Sequence, residues 1–370
     1  MDISMKICHV TNMHKPFDGR IFRKQCISLS KYYDVSLIQG RTEDQVVDGI
    51  HVYGIPVADG QIKRMVTIKP FLKKALEVDA DVYHIHDPEL LRIVPTLKKK
   101  GKKVIFDSHE NFPGVLLIKE WMPKRIRKMV SRLYIKYEKH YLRYCDAIIS
   151  VTPSIVERLS HIGPRTFMVT NYPIYKEFED HRKWGASVCF AGGITKEWMH
   201  HSIIESLTNT NAIYRIVGGC PYKEYENRLR QLSGWGHVEY LGKIKHEEVN
   251  GFLQESSAGM AVYTYDDANV DFKEGTLGNQ KIFEYMMAGI PIITSHLKLW
   301  EEIVMTNDCG LCVEPNDTKS ISDAINYIVN NPKEAERMGN NAAKAVREKY
   351  NWSIQEKELY KVYEYVETVQ

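Results

Sequence analysis

Short apolar runs that alternate with longer helical patterns constrain the fold of this 370-residue chain more than any other feature. In the first half, the predicted strands, each rich in Val and Ile, cover 6–10, 34–38, 81–85, 103–106 and 146–151. Helices are predicted between them, for example over 20–32 and 89–100. Strands and helices in this alternation form a parallel sheet covered by helices on both faces. The first half is therefore expected to be a doubly wound α/β domain.

The same alternation starts again in the second half of the chain. There the predicted strands cover 187–191, 213–217, 238–241, 260–263 and 291–294. Globular domains have roughly 150 residues, so two domains fit this length. We expect a Rossmann-like domain over 1–172, a linker over 173–186, a second Rossmann-like domain over 187–350 and a C-terminal helix over 351–370 that returns to the first domain.

Positive charge is concentrated in one part of the chain. The net charge is +3, which by itself does not indicate a nucleic-acid partner, and no nucleic-acid recognition motif is present. Between 113 and 143, however, nine basic side chains accompany two acidic ones. Apolar residues at helical spacing accompany them, so the segment 114–143 is expected to contact an anionic membrane surface. An ordinary solvated helix fits the same pattern.

Cysteine usage and hydropathy point to the compartment. Seven cysteines are scattered along the chain and do not indicate a disulfide framework; Cys309 and Cys312 are expected to be packed thiols. No apolar run reaches the roughly 18 residues that a membrane-spanning helix needs. The first residues lead directly into a strand without a signal-peptide pattern. We therefore expect a cytoplasmic protein, with peripheral contact to the inner face of the cell membrane if the basic segment binds lipid.

Polar side chains follow three predicted strands of the first half. Asp18 and Arg20 lie after the first strand and are expected to project into a ligand site as catalytic candidates, although Asp18 also fits a helix cap. His86 and Asp87, after the third, are candidates for contact with a second substrate, with a buried structural histidine and a helix cap as alternatives. His109, after the fourth, is the leading catalytic candidate, because imidazole can donate a hydrogen bond to a substrate hydroxyl. A structural role fits His109 equally, and too few ligands converge to predict a metal site.

Glycine pairs in the second half suggest an anion site. Gly192 and Gly193 follow its first strand, and Lys196 is close behind them. Two glycines let the backbone approach a phosphate closely, and a lysine neutralises it. A plain tight turn also accounts for the two glycines.

A Gly-rich loop leads into a helix predicted over 279–288. Gly278 and Asn279 stand at its amino end, where free amides and the helix dipole favour an anion. Lys281, in the first turn, is placed to reach a diphosphate, and Glu284, one turn later, can accept two hydroxyls of a ribose. The same residues also fit a capped amphipathic helix packed on the domain.

Three segments, 79–91, 106–111 and 281–291, together resemble the family 4 glycosyltransferases, of the "glycosyl transferases group 1" type. That family consists of retaining, metal-independent enzymes of the GT-B fold, in which two Rossmann-like domains face each other across a cleft. The resemblance implies hexosyl or related glycosyl transfer in bacterial cell-surface polysaccharide synthesis. It further implies a nucleotide-diphosphate sugar as donor, a glycan or polyprenyl-linked molecule as acceptor, and no metal or other cofactor.

The resemblance also implies residue roles. His109 matches the family's cleft histidine, which contacts the donor sugar, and Glu284 matches the second glutamate of the E-x7-E motif, which holds the ribose. Gly278 and Asn279 would offer amides to the diphosphate or the sugar.

Two departures from the family pattern affect the donor site. The position of the first motif glutamate holds Thr276, so Glu274 or the loop amides are the expected substitutes. The family's Arg and Lys after the first strand of the second domain align with Gly193 and Trp198. Lys196 and Lys281 are the predicted replacements in the phosphate clamp.

Two other functions remain open from the sequence. A sugar-nucleotide epimerase on the same scaffold needs an acid and a base, and Glu110 and Asp87 are the carboxylates available. A non-catalytic nucleotide-sugar-binding partner is the other alternative, because of the two departures from the motif.

Overall fold

The computed structural model describes residues 5–57, 68–119, 121–267 and 271–369, which divide into two compact units. Unit 1 contains the chain up to Asn171 and the C-terminal segment from Trp352. Unit 2 runs from Tyr172 to Asn351. Each unit is an α/β domain built on its own largely parallel sheet, so the predicted fold class is confirmed.

The sheet of unit 1 is parallel except at one edge. Its described strands are β1 (Lys6–Thr11), β2 (Asp34–Gly40), β3 (Gln45–Val47), β4 (Ile50–Ile55), β5 (Val82–Ile85), β6 (Lys103–Ser108), β7 (Ala147–Ser150) and β8 (Arg165–Met168). Their order is β3-β4-β2-β1-β5-β6-β7-β8, and only the β3–β4 pair in this described sheet is antiparallel.

The register of the central strands brings their carboxyl ends together. Val10 of β1 is aligned with Ile85 of β5, which is aligned with Phe106 of β6. The polar residues that follow, among them His86 and Asp107, therefore lie at one edge of the sheet. Ligands of open α/β sheets bind at this edge.

Helices cover the sheet of unit 1. They are α1 (Ile27–Leu29), α2 (Lys69–Val78), α3 (Val94–Lys99), α4 (Phe112–Ile118), α5 (Lys124–Leu142), α6 (Pro153–Ser160) and, at the end of the described chain, α14 (Trp352–Thr368). A 3₁₀ segment, Pro88–Ile93, precedes α3.

The C-terminal helix α14 completes the core of unit 1. Its buried apolar face joins the same cluster as β1 and β2, through Trp352, Leu359, Val362, Tyr363 and Val366. The Tyr363 hydroxyl is 2.8 Å from Nδ1 of His84, and the Gln355 side chain accepts the amide of Thr170 at 2.7 Å. The chain therefore returns to the first unit after building the second.

Unit 2 has the strand order of a nucleotide-binding Rossmann domain. Its described strands are β9 (Ser187–Ala191), β10 (Ile213–Val217), β11 (Val238–Tyr240), β12 (Ala258–Ala261), β13 (Ile292–Ser295) and β14 (Gly310–Val313). They are parallel in the order β11-β10-β9-β12-β13-β14. The direction of winding reverses at β9, and such a switch point opens a crevice for ligands.

The helices of unit 2 pack on both faces of that sheet. They are α7 (His200–Ser206), α8 (Lys223–Leu229), α9 (Val249–Gln254), α10 (Lys281–Ala288), α11 (Lys298–Thr306), α12 (Thr318–Asn330) and α13 (Pro332–Glu348). A 3₁₀ turn, Lys196–Trp198, precedes α7.

The predicted helix over 20–32 differs from the observed segment. The carbonyl oxygen of Asp18 accepts the amides of both Phe22 and Arg23, at 3.2 and 3.1 Å, and the backbone is π-helical over Ile21–Cys26 before α1 begins. Apolar periodicity cannot distinguish this wider turn from an α-helix.

The sequence analysis did not predict four of the described strands. β3, β4, β8 and β14 have no counterpart among the predicted strands, and β8 is only partly buried at the sheet edge. β3, β8 and β14 are short edge strands, and β4, next to the edge, has buried residues interrupted by less buried ones; all four lack the continuous apolar run of a strand buried on both faces. Cys309, just before β14, and Cys312, within it, are free thiols, as predicted.

Replacing Leu359 by Ala should destabilise unit 1 by about 2–5 kcal/mol, because it leaves a cavity in a fully buried cluster. Scanning calorimetry should show a lower melting transition. Lys357→Ala, on the exposed side of α14, is the matched control and should leave the transition in place. Equal melting of the two variants would contradict the packing of α14 on unit 1.

Candidate functional site

A pocket of about 310 Å³ opens at the carboxyl ends of β9 and β10 in unit 2. This is the switch point of the sheet, where nucleotide sites of Rossmann domains form. Its walls combine glycines, two lysines, one carboxylate and branched apolar side chains. The lining residues are Ala191, Gly192, Val217, Gly218, Lys243, Ile244, Val249, Lys281 and Glu284.

Lys281 brings a half-buried ammonium group into this pocket. Its Nζ donates a hydrogen bond to the Ala191 carbonyl at 2.5 Å and lies 4.8 and 5.2 Å from the ring centroids of Phe190 and Trp198. Burial lowers the pKa of Lys281, and the charge of Glu284 opposes that shift. A cation held in this way against aromatic rings and a carbonyl favours binding of a negatively charged ligand.

Two glycines create the space for this arrangement. Gly192 has a φ of +146°, and a Cβ there would lie 2.0 Å from Nζ of Lys281. Gly218 has a φ of +137°, and its Cβ would lie 1.7 Å from the Gly192 carbonyl oxygen. Only glycine fits both conditions. Gly193, in contrast, faces open space and does not line the pocket.

The loop before α10 is built by its own side chains. The Asn279 side chain accepts the amide of Lys281 at 3.1 Å, so the helix begins at Lys281 rather than at the predicted residue 279. The Thr276 hydroxyl accepts the amide of Gly278 at 3.0 Å. Glu274 forms an ion pair with Lys298 at 2.9 Å. These contacts account for local loop geometry.

Of the predicted donor-site residues, the pocket brings together Gly192, Lys281 and Glu284. Its lining does not include Lys196, which begins the 3₁₀ turn before α7, or Glu274. Of the two lysines predicted for the phosphate clamp, Lys281 lines this pocket and Lys196 does not.

Lys243 is a lining residue that the sequence analysis missed. Its side chain runs along Gly219, where an added Cβ would lie 2.6 Å from its Cε. Ile244 and Val249 form the adjoining apolar wall. The sequence feature that could have identified Lys243 is the Gly-Lys-Ile tripeptide directly after the predicted strand over 238–241.

The polar edge of unit 1 centres on a buried ion pair. Both Arg20 Nε and Nη2 donate to the Asp107 carboxylate, at 3.1 and 2.9 Å, and Nη2 also donates to the Val169 carbonyl at 2.9 Å. Burial opposes ionisation of Asp107, but Arg20 and His109 hold its pKa well below the usual range. Arg20 was expected to project from this edge; instead it is only 5% exposed, because it neutralises Asp107.

His109 lies above this ion pair and remains partly exposed. Its Nε2 is 3.3 Å from Asp107 Oδ2 and 3.3 Å from His86 Nδ1. His86 is itself buried, with its other ring nitrogen 2.9 Å from His9 Nδ1, and burial lowers the pKa of His86 to about 3. His86 was expected to contact the second substrate, but its place under His109 corresponds to the structural alternative.

Asp87 is buried and holds the loop after β1. Its carboxylate accepts hydrogen bonds from the Thr11 hydroxyl at 2.7 Å and the Asn12 amide at 2.6 Å, and contacts His14 at 3.2 Å. Burial opposes ionisation, but the His14 and Thr11 contacts lower the pKa of Asp87 to about 2. Its side chain does not cap the following helix and does not reach the surface.

Asp18 caps the helical segment that follows it, as the alternative interpretation of the sequence predicted. Its carboxylate accepts the amides of Arg20 and Ile21, both at 2.8 Å, and so satisfies the first turn of the following helical segment.

The histidine clusters of the described residues are dense enough to be considered as metal sites. His9, His84 and His86 form one group, and His86, Asp107 and His109 form another. Arg20 already neutralises Asp107, so a second cation there is opposed by charge. We assign no metal to either group.

Two family profiles match the chain. The family described as "Glycosyl transferases group 1" matches residues 174–345, in unit 2, and "Glycosyltransferase Family 4" matches residues 30–171, in unit 1. Together the matches include the pocket of unit 2 and, at the polar edge of unit 1, His86, Asp87, Asp107 and His109, whereas Asp18 and Arg20 lie before the matched residues.

Curated relatives carry glycosyltransferase names. The chain is 26% identical over 145 residues to a phosphatidyl-myo-inositol mannosyltransferase of Mycobacterium leprae, covering 39% of this chain and 36% of that protein. It is 23% identical over 294 residues to the D-rhamnosyltransferase WbpZ of Pseudomonas aeruginosa, covering 76% of this chain and 72% of that protein. The match thus spans about a third of the length of the first relative.

Solved structures share the architecture. Sucrose-phosphate synthase from Thermosynechococcus elongatus superposes with a TM-score of 0.76 at 14% identity, covering 97% of this chain and 98% of that one. Anabaena HepE in complex with UDP and glucose gives a TM-score of 0.67 at 13% identity, covering 97% and 99%. At this identity the likeness establishes a shared fold.

Replacing Arg20 by Met should destabilise the protein by about 3–5 kcal/mol, because it leaves the Asp107 carboxylate buried without its cation. Chemical denaturation monitored by circular dichroism measures this loss. Arg23→Met, at an exposed position of the same helical segment, is the control and should change stability by less than about 0.5 kcal/mol. A stable Arg20→Met variant would show that the pair contributes little to the fold.

Proposed function

Because this chain belongs to the group 1 glycosyltransferases, we propose that it transfers a hexosyl or related sugar from a nucleotide-diphosphate donor to a glycan or polyprenyl-linked acceptor. Cell-surface polysaccharide synthesis is the process in which such an acceptor would be extended. The observation that carries the proposal is the half-buried ammonium of Lys281 in a glycine-lined pocket at the switch point of unit 2.

The pocket offers a contact for each part of the donor. Lys281 and Lys243, which both line the pocket, supply positive charge for the diphosphate, and the backbone at Gly192 allows close approach. The Glu284 carboxylate is placed to accept two ribose hydroxyls. The apolar wall at Ile244 and Val249 suits one face of a planar base. With ammonium groups opposing the phosphate charge, the proposed reaction needs no metal and no further cofactor.

The chemistry follows from this distribution of charge. The bond between the anomeric carbon and the diphosphate breaks as the acceptor oxygen attacks, and positive groups fixed in the pocket stabilise the departing diphosphate. We propose retention of the anomeric configuration, with attack on the face from which the diphosphate leaves. On the acceptor side, His109 and the loop capped by Asp18 are the proposed contacts in unit 1.

The proposal is tested by binding and turnover together. Thermal-shift measurements with UDP, GDP and their sugars should show a rise in melting temperature with one nucleotide series. Chromatography of the matching nucleotide sugar should show release of nucleoside diphosphate only when an acceptor is present. Conversion of the sugar without acceptor would instead favour an epimerase, and binding without any turnover a non-catalytic partner.

Lys281→Met should weaken nucleoside diphosphate binding by about 1.5–3 kcal/mol, the usual contribution of a hydrogen bond to a charged group. That corresponds to a roughly 10- to 100-fold loss of affinity. The free nucleoside should bind the variant and the wild type alike. Calorimetric titration measures both. Lys344→Met, at an exposed position of α13, should bind like the wild type; equal losses in the two variants would contradict the assignment of Lys281.

We further propose that unit 1 contacts an anionic membrane surface through the segment 114–143. Within this segment, Glu120 lies outside the described residues. In α5, Ile126, Met129 and Leu133 form an exposed apolar stripe, and Trp121 before the helix is 73% exposed. The flanking exposed side chains are basic: Lys128, Arg132 and Lys136. Anionic lipid complements both features.

The opposite face of α5 fixes the helix to unit 1. The Ser131 hydroxyl donates to the Pro113 carbonyl at 2.9 Å, and buried Glu138 forms an ion pair with Arg158. In the described part of the chain, no helix combines the length and apolar character needed to cross a bilayer. A peripheral position at the inner face of the cell membrane would place the enzyme beside a polyprenyl-linked acceptor.

Charge reversal by Lys128→Glu with Arg132→Glu should reduce binding to vesicles containing phosphatidylglycerol by roughly 30-fold or more, at ~1 kcal/mol for each basic residue near the lipid. Ile126→Ser with Leu133→Ser should also weaken binding. Sedimentation with phosphatidylcholine vesicles, with and without phosphatidylglycerol, measures the effect. Lys333→Glu with Lys344→Glu, exposed on α13, is the charge-matched control. Wild-type protein that ignores anionic vesicles would refute the contact.

A further inference from the structure

Three side chains with metal-binding atoms lie together in unit 2, and none of them lines its pocket. They are His296, Glu301 and Cys312, and their ligand atoms all lie within 4.8 Å of one another. All three side chains are partly exposed, so an ion can reach them from solvent. The sequence predicted only a packed thiol at Cys312, because the three residues belong to separate elements.

Strand pairing and a short connection bring these residues together. Cys312 lies in β14 and is aligned with Thr294 of β13. His296 directly follows β13, and after a short connection α11 begins at Lys298 and carries Glu301 in its first turn. Because α11 packs on both β13 and β14, the three side chains meet where the two strands end.

The thiol distinguishes this group from an ordinary histidine–carboxylate pair. His296 Nδ1 is 2.9 Å from Glu301 Oε1, and a hydrogen-bonded pair accounts for that contact by itself. Unit 2 has a second such pair, in which His181 Nε2 is 3.2 Å from Glu179 Oε2, but no cysteine among the described residues joins it. The addition of Cys312 turns the first pair into a set of three ligands from three elements.

The chemistry of this set of ligands matches zinc. Thiolate sulfur, imidazole nitrogen and carboxylate oxygen bind zinc at about 2.0–2.3 Å, usually in tetrahedral geometry. Tetrahedral ligand atoms at these distances lie roughly 3.5 Å apart. Small rotations of the partly exposed His296 and Glu301 side chains are therefore enough to bring the three atoms to one ion. Magnesium and calcium, in contrast, select oxygen ligands and do not match a sulfur atom.

The charges around the thiol favour a cation. Burial and the negative charge of Glu301 raise the pKa of Cys312 to about 12, so at neutral pH the thiol keeps its proton unless a cation replaces it. A divalent ion offsets the carboxylate charge and stabilises the thiolate. Lys298, at the start of the same helix, forms an ion pair with Glu274 at 2.9 Å, so its positive charge is compensated there.

We propose that His296, Glu301 and Cys312 bind a zinc ion, with water as the fourth ligand. When the ion binds, the sulfur–hydrogen bond of Cys312 breaks, the proton passes to solvent, and the electron pair left on sulfur forms the bond to zinc. The ion links the ends of β13 and β14 to α11 and thereby stabilises unit 2. The inference concerns a site apart from the pocket and does not rest on the proposed sugar transfer.

Cobalt(II) tests the thiolate ligand directly, because cobalt occupies zinc sites and absorbs light through its bond to sulfur. After treatment of the protein with a chelator, Co²⁺ alone should give the wild type a thiolate-to-cobalt charge-transfer band in the near ultraviolet. Cys312→Ser should abolish this band. Cys220→Ser, which removes another partly exposed thiol of unit 2, is the control and should keep it. A wild type without the band, or a band that survives Cys312→Ser, would overturn the proposal.

Calorimetric titration with Zn²⁺ measures the affinity and the released proton. His296→Ala should weaken binding by at least the roughly 10- to 100-fold that loss of a residue supporting a metal ligand costs. His181→Ala, in the exposed pair without a thiol, is the matched control and should bind like the wild type. In buffers of different ionisation enthalpy, the wild type should release a proton that Cys312→Ser does not. Zinc should also raise the melting temperature of the wild type. Equal zinc affinity in His296→Ala and the wild type would rule out the site.

Discussion

Burial of both faces of a parallel sheet is the constraint on which both units depend. Helices cover the faces, so the polar groups that a ligand site requires are left to the carboxyl edge of the central strands. In unit 1, β1, β5 and β6 end together and place His14, Asp87 and His109 at that edge. In unit 2, Gly192 and Gly218 directly follow β9 and β10 and line the pocket that opens there. The proposed donor contacts lie at the edge of unit 2, and the proposed acceptor contacts lie at the edge of unit 1.

Charged side chains have different kinds of partner at the two edges. In unit 1, Arg20 neutralises Asp107 through two donors, and the carboxylate of Asp87 is surrounded by a hydroxyl and backbone amides. These charges are compensated inside the fold, and they orient the imidazoles above them. In unit 2, Lys281 contacts a carbonyl and two aromatic rings, and no ion pair with a carboxylate is formed among the described residues. The surroundings of Lys281 are therefore better suited to bind an anion than to stabilise the protein without a ligand.

Packing also decided which polar residues of unit 1 can reach a substrate. The sequence places Asp18, Arg20, His86, Asp87 and His109 in similar positions after strands, and nothing in their spacing separates them. In the structure, Arg20, His86 and Asp87 are buried, whereas His109 and the unpredicted His14 are partly exposed. Arg20 immediately precedes the π-helical segment, and such a segment has no signature in apolar periodicity. Lys243 was missed for a related reason, because its role depends on Gly219 from a neighbouring strand end.

The sequence alone determined the two α/β units, the positions of most buried strands along the chain, and the choice of Lys281 and Glu284 as candidate site residues, which line the pocket of unit 2. It could do so because apolar periodicity and glycine placement are local properties, written in consecutive residues. Only the tertiary structure decided that the Lys281 side chain fills the space above Gly192, that Arg20 forms an ion pair with Asp107, and that His14 contacts the Asp87 carboxylate. These partners are separated by about 70 to 90 residues along the chain, and the order of the strands in each sheet, not the spacing of the residues in the sequence, brings them together.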